Sequence, residues 1–454
     1  MGEPVIALVD GEHYPPVIAR ALRALRDRGE DPVLALFVGG GEKLGQVSDE
    51  LSGLGVDAER AEDPEADLAA AIDRTGAGRV IDLSDEPVLG YVARCRLASV
   101  ALWKGAAYQG ADFTFTPPDR RLRPPVPSVG VIGTGKRTGK TAIGGAIARN
   151  YRDAGRRPVV VAMGRGGPPE PEVIDGKDAL EPEVLMQWVS EGRHAASDYI
   201  EDALMARVPT VGAWRAGGGL AGATSFSNYD LALERASELA PGMLVLEGSG
   251  AAIPPAHFDA GILVVNAGID PGHLRGYFGL YRLLLADLVV LTMCEDSIPP
   301  DHLAAVEDCL RSRPLTQARV ARTVFRPHPL DDITGKRIWL ATTAPKAAGD
   351  VLARHLETEH GAEVVGISHA LANRERLRRD LDRAAGADVI LVELKAAAVD
   401  VVTRFGLDRG ISVAYVDNRP WVVGDDEPLE ARFEAVADLA NERFDAGRDA
   451  RDSR

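Results

Sequence analysis

Lysine is scarce in this chain. Of 52 basic residues only eight are lysine, and two of those eight fall within five positions of each other, at Lys136 and Lys140. Cysteine is scarcer still. Cys95, Cys294 and Cys309 are odd in number and form no C-x-x-C, which leaves no basis for a disulfide framework or a zinc site and fits a reducing compartment. No apolar run approaches the length that crosses a bilayer. The opening "MGEPVIALVDGEHYPP" carries an acid and a strand where a leader would carry basic residues and a cleavage site. A cytoplasmic location is therefore expected. Excess positive charge is also missing. The net charge of −16 argues against nucleic acid as a partner, and it means that an anionic ligand must be held by local cations against the global field.

What is present begins with "SVGVIGTGKRTGKTAIGGAIARNY". Val129, Val131 and Ile132 read as a buried strand. Ala142, Ile143, Ala146 and Ile147 recur at helical spacing. Between them lies Gly133-Thr134-Gly135-Lys136-Arg137-Thr138-Gly139-Lys140-Thr141. A strand, a glycine loop and a helix start are the context of a P-loop, whose N–H groups point at phosphates. All nine residues are expected to bind ATP. Lys140 would reach the β- and γ-phosphates, and the Thr141 hydroxyl would sit on Mg²⁺. The shorter pattern G-x-x-x-x-G-K-[ST] is broken, because Thr134 stands where its first glycine belongs. The longer G-T-x-x-x-x-G-K-T is met in full and resembles the loop of dethiobiotin synthetase and its relatives.

Apolar runs at 5–9, 33–38, 80–83 and 100–102, separated by helical patterns, predict an N-terminal Rossmann-like α/β unit over 1–116. A proline- and arginine-rich stretch, 117–128, reads as a linker. The P-loop unit, 129–327, has further strands expected at 159–163, 210–213, 243–247, 261–266 and 288–292. A C-terminal α/β stretch, 328–454, has strands expected at 337–341, 363–367, 389–394 and 411–416. It is either a separate domain or an extension of the central sheet. The fold class is α/β, with a P-loop NTPase core built on a parallel sheet.

Open parallel sheets bind ligands at the carboxyl ends of their strands, so strand-end residues are the site candidates. In "MLVLEGSG", Glu247 ends a strand where a second metal contact belongs; an ordinary strand-end acid gives the same pattern. In "MGRGGP", Arg165 is flanked by glycines and offers a phosphate fork. Arg215 in "AWRAGGG" and Arg275 in "IDPGHLRG" also follow strands, with His273 a weaker candidate. Lys346, Lys395 and Arg419 add cations near strand ends of the last stretch. In "DGEHYPPV", Asp10 ends the first strand and Pro15-Pro16 opens a helix. His13 and Tyr14 between them can donate to phosphate or carboxylate oxygens, with Asp10 orienting His13 or holding a cation.

The segments "DGEHYPPV", "GTGKRTGKTA", "GRGGP", "GGG-AGATSF" and "NAGIDPGH" together resemble those of the cyclic 2,3-diphosphoglycerate synthetase family, over essentially the whole chain. The resemblance implies an ATP- and Mg²⁺-dependent ligase that joins the two phosphates of 2,3-diphosphoglycerate into a cyclic phosphoanhydride, with release of ADP and phosphate. Lys136, Lys140, Arg165 and Glu247 would then act in catalysis, and Asp10, His13, Tyr14, Arg165, Arg215 and Arg275 would bind the substrate. A homodimer is compatible with this reading. The alternatives are a dethiobiotin-synthetase-like enzyme acting on another small anion, and a regulatory P-loop ATPase. Partition ATPases of the latter kind carry a lysine five places before the P-loop lysine, where this chain has Gly135.

Overall fold

The structure, a computed structural model, describes residues 2–40, 54–176, 182–190, 198–311, 315–394, 398–424 and 427–452, so Lys395 lies outside the described residues. The N-terminal sheet holds β1 (Glu3–Val9), β2 (Glu30–Phe37), β3 (Asp57–Arg60), β4 (Arg79–Asp82), β5 (Ala107–Gln109) and β6 (Thr114–Phe115). Their order is β3-β2-β1-β4-β5-β6, parallel except for the β5–β6 pair. The helix Pro15–Asp27 opens on Pro15-Pro16, whose missing N–H groups would have had no partner in a first turn. It buries Ile18, Leu22 and Leu25 against Val5, Ala7 and Val9.

Residues 100–102, expected as a strand, lie instead in the helix Tyr91–Trp103. That helix buries six consecutive residues, Leu97 to Leu102. One face meets the N-terminal sheet and another meets the helix Gly279–Leu284 of the central unit. A helix covered on several sides has no polar face, so its apolar run loses the 3.6-residue period and imitates a buried strand.

The large sheet begins with β7 (Ser128–Gly133), β8 (Pro158–Gly164), β9 (Glu172–Ile174), β10 (Thr210–Ala216), β11 (Phe226–Ser227), β12 (Met243–Glu247), β13 (Ala260–Asn266) and β14 (Leu288–Thr292). Strands β10-β8-β12-β7-β13-β14 are parallel neighbours. Their apolar runs reflect burial on both faces. Then come β15 (Arg319–Pro329), β16 (Arg337–Ala341), β17 (Glu363–Ser368), β18 (Val389–Glu393) and β19 (Ser412–Val422). Strand β15 joins the two parts. Its first four residues pair in parallel with β14, and its last seven pair antiparallel with β19. The order continues β15-β19-β18-β16-β17, so the C-terminal strands extend the central sheet.

This reversal corrects one expectation. The C-terminal strands run against those that end at the glycine loop, so their carboxyl ends do not form one edge with it. Arg419 is not at a strand end at all. It lies inside β19, opposite Arg326 of β15. The C-terminal part meets the back of the P-loop helix Lys140–Asp153, where Arg149 Nη1 lies 2.8 Å from Asp417 Oδ2 and Tyr151 Oη donates to the Phe433 carbonyl. The segment between the units is pinned to the central unit. Leu122 bridges to Ala256, and the Arg120 guanidinium lies 4.0 Å over the Phe258 ring.

Candidate active site

The glycine loop leaves β7 in the middle of the sheet and turns into the helix Lys140–Asp153. Gly139 sits at the cap with φ +83°, a conformation that L side chains avoid. Phe325 of β15 fills the place of its missing Cβ, at 2.4 Å. Two neighbouring strand ends brace the loop. Thr292 Oγ1 donates to the Thr138 carbonyl at 2.7 Å, and Asn266 Nδ2 donates to the Arg137 carbonyl at 3.3 Å. Lys136 and Arg137 remain exposed. The buried hydroxyls of Thr134 and Thr138 have no hydrogen-bond partner among the described residues. Buried polar atoms are otherwise nearly always paired. A cradle with idle donors fits an anion such as a phosphate chain.

Lys140 and Glu247 are both buried, with Nζ and Oε2 3.7 Å apart. Strand β12, which ends at Glu247, lies between β7 and β8, and this puts the carboxylate beside the loop. Its seat requires glycine across the way. A Cβ on Gly144, in the second turn of the P-loop helix, would stand 1.6 Å from Glu247 Oε1. Thr141 is buried at the helix start. A hydroxyl, a carboxylate and phosphate oxygens are a donor set of the kind Mg²⁺ takes, with waters completing its shell. The residues present therefore fit the ion.

Arg165 follows β8 and Arg215 ends the adjacent β10. Arg215 Nη2 donates to the Ser249 carbonyl at 2.9 Å, just beyond Glu247, and Nη1 to the Gly217 carbonyl at 3.0 Å. Burial, and then the nearby Arg165 charge, pull the Arg215 guanidinium below its usual range. Neither arginine has a carboxylate partner among the described residues, so this corner holds unbalanced positive charge in an acidic protein. Arg275 is placed elsewhere, 3.9 Å from Asp308 on the flank of the sheet. His273 stacks on Tyr277 with ring centroids 4.8 Å apart.

In the N-terminal unit Asp10 is fully buried and organises the loop after β1. Its Oδ1 accepts from Glu12 N, His13 N and His13 Nδ1, the last at 2.7 Å, while Oδ2 accepts from Asp85 N at 2.7 Å. Burial alone would raise its pKa, but these hydrogen bonds outweigh it and hold the carboxyl below its ordinary range. His13 is thereby fixed, with Nε2 3.4 Å from Asp85. Tyr14 is exposed. The carboxyl edges of the two sheets converge where Tyr91, which opens its helix beyond β4, meets Tyr277 beyond β13 at 6.0 Å.

Sequence reasoning passed over several residues. Thr292 and Phe325 brace the loop from β14 and β15, and β15 escaped notice because its prolines and arginines do not resemble a core strand. Gly144 carries no sequence signal beyond being a glycine within a helical pattern. Arg282 is almost wholly buried; its only sequence signal was a lone cation in the apolar run "GLYRLLLA".

A strand–glycine loop–helix turn bearing Lys140 and Thr141, with an acid at the end of the next parallel strand, defines a P-loop nucleotide-binding protein. The comparisons narrow this. The cyclic 2,3-diphosphoglycerate synthetase P-loop domain matches residues 128–324, the N-terminal domain of that family matches 4–116, and its C-terminal domain matches 329–419. The chain belongs to the cyclic 2,3-diphosphoglycerate synthetase family. Relatives carrying that name include those of Rubrobacter xylanophilus, 47% identical over 93% of this chain and 95% of the relative, and Thermococcus gammatolerans, 48% identical over 91% and 93%. That of Methanothermus fervidus is 43% identical over 98% of this chain and 100% of the relative. Among solved structures, LpxK from Aquifex aeolicus in complex with ATP has a TM-score of 0.40 at 14% identity, over 72% of this chain and 90% of that one, which is too distant to bear on the site. No helix among the described residues is long and apolar enough to cross a membrane.

Proposed function

We propose that this chain uses ATP to close 2,3-diphosphoglycerate into its cyclic phosphoanhydride. The observation that carries the reading is the pairing of an idle phosphate cradle, at Gly133–Thr141, with the unbalanced cations Arg165 and Arg215, at the ends of strands two and three places away in the sheet. ATP occupies the first and the substrate phosphates the second. Two phosphate monoesters do not condense in water. Transfer of the γ-phosphoryl group to an oxygen of one substrate phosphate releases ADP and leaves a diphosphate. An oxygen of the neighbouring phosphate then attacks the inner phosphorus and expels orthophosphate. Catalysis here is positioning and charge neutralisation. Lys140 and Lys136 hold the phosphoryl oxygens. Thr141 and Glu247 would hold Mg²⁺, which when bound would supply neutralisation of charge on the phosphates. Arg165 and Arg215 bring the second anion against the first. His13 and Tyr14 contact the substrate from the N-terminal unit, Asp10 holds His13 in place, and Arg275 has the most distant part in this arrangement. A substrate and a cofactor of metabolism, with three free cysteines, favour the cytoplasm, and the net charge of −16 speaks against nucleic acid.

The deciding experiment is ³¹P NMR with ATP, Mg²⁺ and 2,3-diphosphoglycerate. The two monoester signals should give way to coupled anhydride signals as ADP accumulates; ADP without those signals would sink the assignment. The arginine pair makes a separate prediction. Arg165→Ala and Arg215→Ala should each raise KM for the substrate about 10- to 100-fold, since a hydrogen bond to a charged group contributes about 1.5–3 kcal/mol. KM for ATP should stay unchanged. The double variant should fall short of the product of the two effects, because both cations grip one dianion. Unaltered substrate KM in both single variants would move the substrate elsewhere.

A further inference from the structure

Arg282 stands in the middle of the helix Gly279–Leu284, where leucine surrounds it, and only 3% of it is exposed. A buried cation normally has an acid beside it. Arg282 has none among the described residues. Its four hydrogen bonds all go to backbone carbonyls: from Nη1 to Tyr277 and Phe278, each at 3.2 Å, and from Nη2 to Leu220 at 3.3 Å and Ala251 at 2.8 Å. Burial pulls the guanidinium down to about 10, so it remains charged at neutral pH.

Those four carbonyls belong to three loops, and each loop leaves the carboxyl end of a different central strand. Leu220 lies in the glycine-rich loop after β10 that begins at Gly217, just past Arg215. Ala251 lies in the loop that leaves Glu247 at the end of β12. Tyr277 and Phe278 lie beyond β13. The first two loops are also joined directly, Ile253 N donating to the Gly222 carbonyl at 2.8 Å and Arg215 to the Ser249 carbonyl. The Glu247 loop is thus held at Ser249 by one arginine and at Ala251 by another.

The third loop is strained. Tyr277 and Phe278 have φ of 45° and 57°, two successive non-glycine residues in the left-handed region. Such residues persist only where the surroundings over-determine them, and they cluster at functional sites. Here the strain aims both side chains at the N-terminal unit. Tyr277 meets Tyr91 edge-on at 6.0 Å, and Phe278 meets Phe115 at 4.8 Å. The Arg282 bonds to their carbonyls hold that conformation from behind.

We propose that Arg282 is a positioning residue that couples the seated N-terminal unit to the Glu247 and Arg215 loops, so that the catalytic geometry is complete only when the seam at Tyr277–Phe278 is closed. The proposal rests on the reading of Glu247 and Arg215 given above. Its physical basis is that a planar guanidinium with five donors can hold three loops in fixed relation. A lysine can keep the charge but not that geometry.

The test uses the full chain, with wild-type cyclisation followed by ³¹P NMR as the control. If the wild type does not cyclise the substrate, the assigned reaction fails and Arg282 is not at issue. Given an active wild type, Arg282→Lys and Arg282→Met should fold, as judged by circular dichroism, and lose about 100-fold in kcat, the cost of a displacement of about 1 Å at a reacting centre. KM for ATP should hold, and the Mg²⁺ concentration for half-maximal rate should rise. Phe115→Ala should shift kcat and Mg²⁺ requirement in the same direction, yet add little to Arg282→Lys. A lowered melting temperature with unchanged kcat and Mg²⁺ requirement would overturn the proposal, as would independent, multiplying effects of Phe115 and Arg282. Should neither Arg282 variant fold, Phe115→Ala decides alone: an unchanged Mg²⁺ requirement there overturns the coupling.

Discussion

Lys140→Ala ends ADP formation, with an expected loss of about 10³-fold or more, since removing one preorganised donor from a transition-state cradle costs about 10²–10³-fold and this donor is charged. The geometry adds a second effect. Lys140 and Glu247 are buried with 3.7 Å between their charges, so deleting the ammonium strands part of a buried pair. Breaking such a pair costs about 3–5 kcal/mol. A dead Lys140→Ala would therefore be open to two explanations, lost chemistry or lost folding. The double variant Lys140→Met, Glu247→Gln separates them. Both charges are gone, so stability should return towards wild type in a urea titration, while ADP formation stays absent. Thr141→Ala should be similarly inactive and keep its fold, because the hydroxyl it removes is small. Near-normal ATP turnover in either Lys140→Ala or Thr141→Ala would mean that the loop is not the catalytic cradle.

Glu247→Gln, the second large effect, keeps the shape of the side chain and removes its charge. Rate should fall about 100-fold or more, because the carboxylate's work in phosphoryl transfer is to hold or orient the metal. The Mg²⁺ requirement should rise with it. Gly144 gives an independent probe of the same group. Glycine inside a helix is less favourable than alanine by about 1 kcal/mol, so Gly144→Ala would ordinarily stabilise the helix. Here the new methyl would lie 1.6 Å from Glu247 Oε1. Gly144→Ala should displace the carboxylate and lower both kcat and melting temperature. Combined with Glu247→Ala, it should restore melting temperature without restoring rate, since the methyl then enters vacated space. A fully active Gly144→Ala would show that Glu247 has no fixed role, and an unchanged Mg²⁺ response in Glu247→Gln would return it to an ordinary strand-end acid.

The candidate site was legible in the sequence where its parts are consecutive. Glycine spacing, a lysine–threonine pair and the switch from an apolar run to a helical period all lie between Val129 and Ile147 and show themselves in one window. Arg165, Arg215 and Glu247 were selected by one topological rule, that ligands meet the carboxyl ends of parallel strands. The same rule misled for Arg419, because the rule assumes strands of one direction and β19 runs the other way. It also selected Arg275, which lies 3.9 Å from Asp308 on the flank of the sheet and so takes the most distant place in the proposed site. Asp10 was expected to orient His13 or hold a cation, and its carboxylate accepts from the His13 ring and from the loop backbone.

The sequence by itself determined the phosphate loop, the α/β class, most strand positions and the proline-led entry to the first helix. These depend on local backbone chemistry and on burial patterns that a short window contains. Only the tertiary structure decided that β15 and β19 pair, that the C-terminal strands therefore extend the central sheet in reverse, and that 100–102 is helical. It alone brought Thr292 to Thr138 across 154 residues, Glu247 to Gly144, and Arg282 to three separate loops. The physical reason is the same in each case. A carbonyl left over by one loop, or a Cβ missing from one helix, is invisible until the partner that uses it arrives from a distant part of the chain.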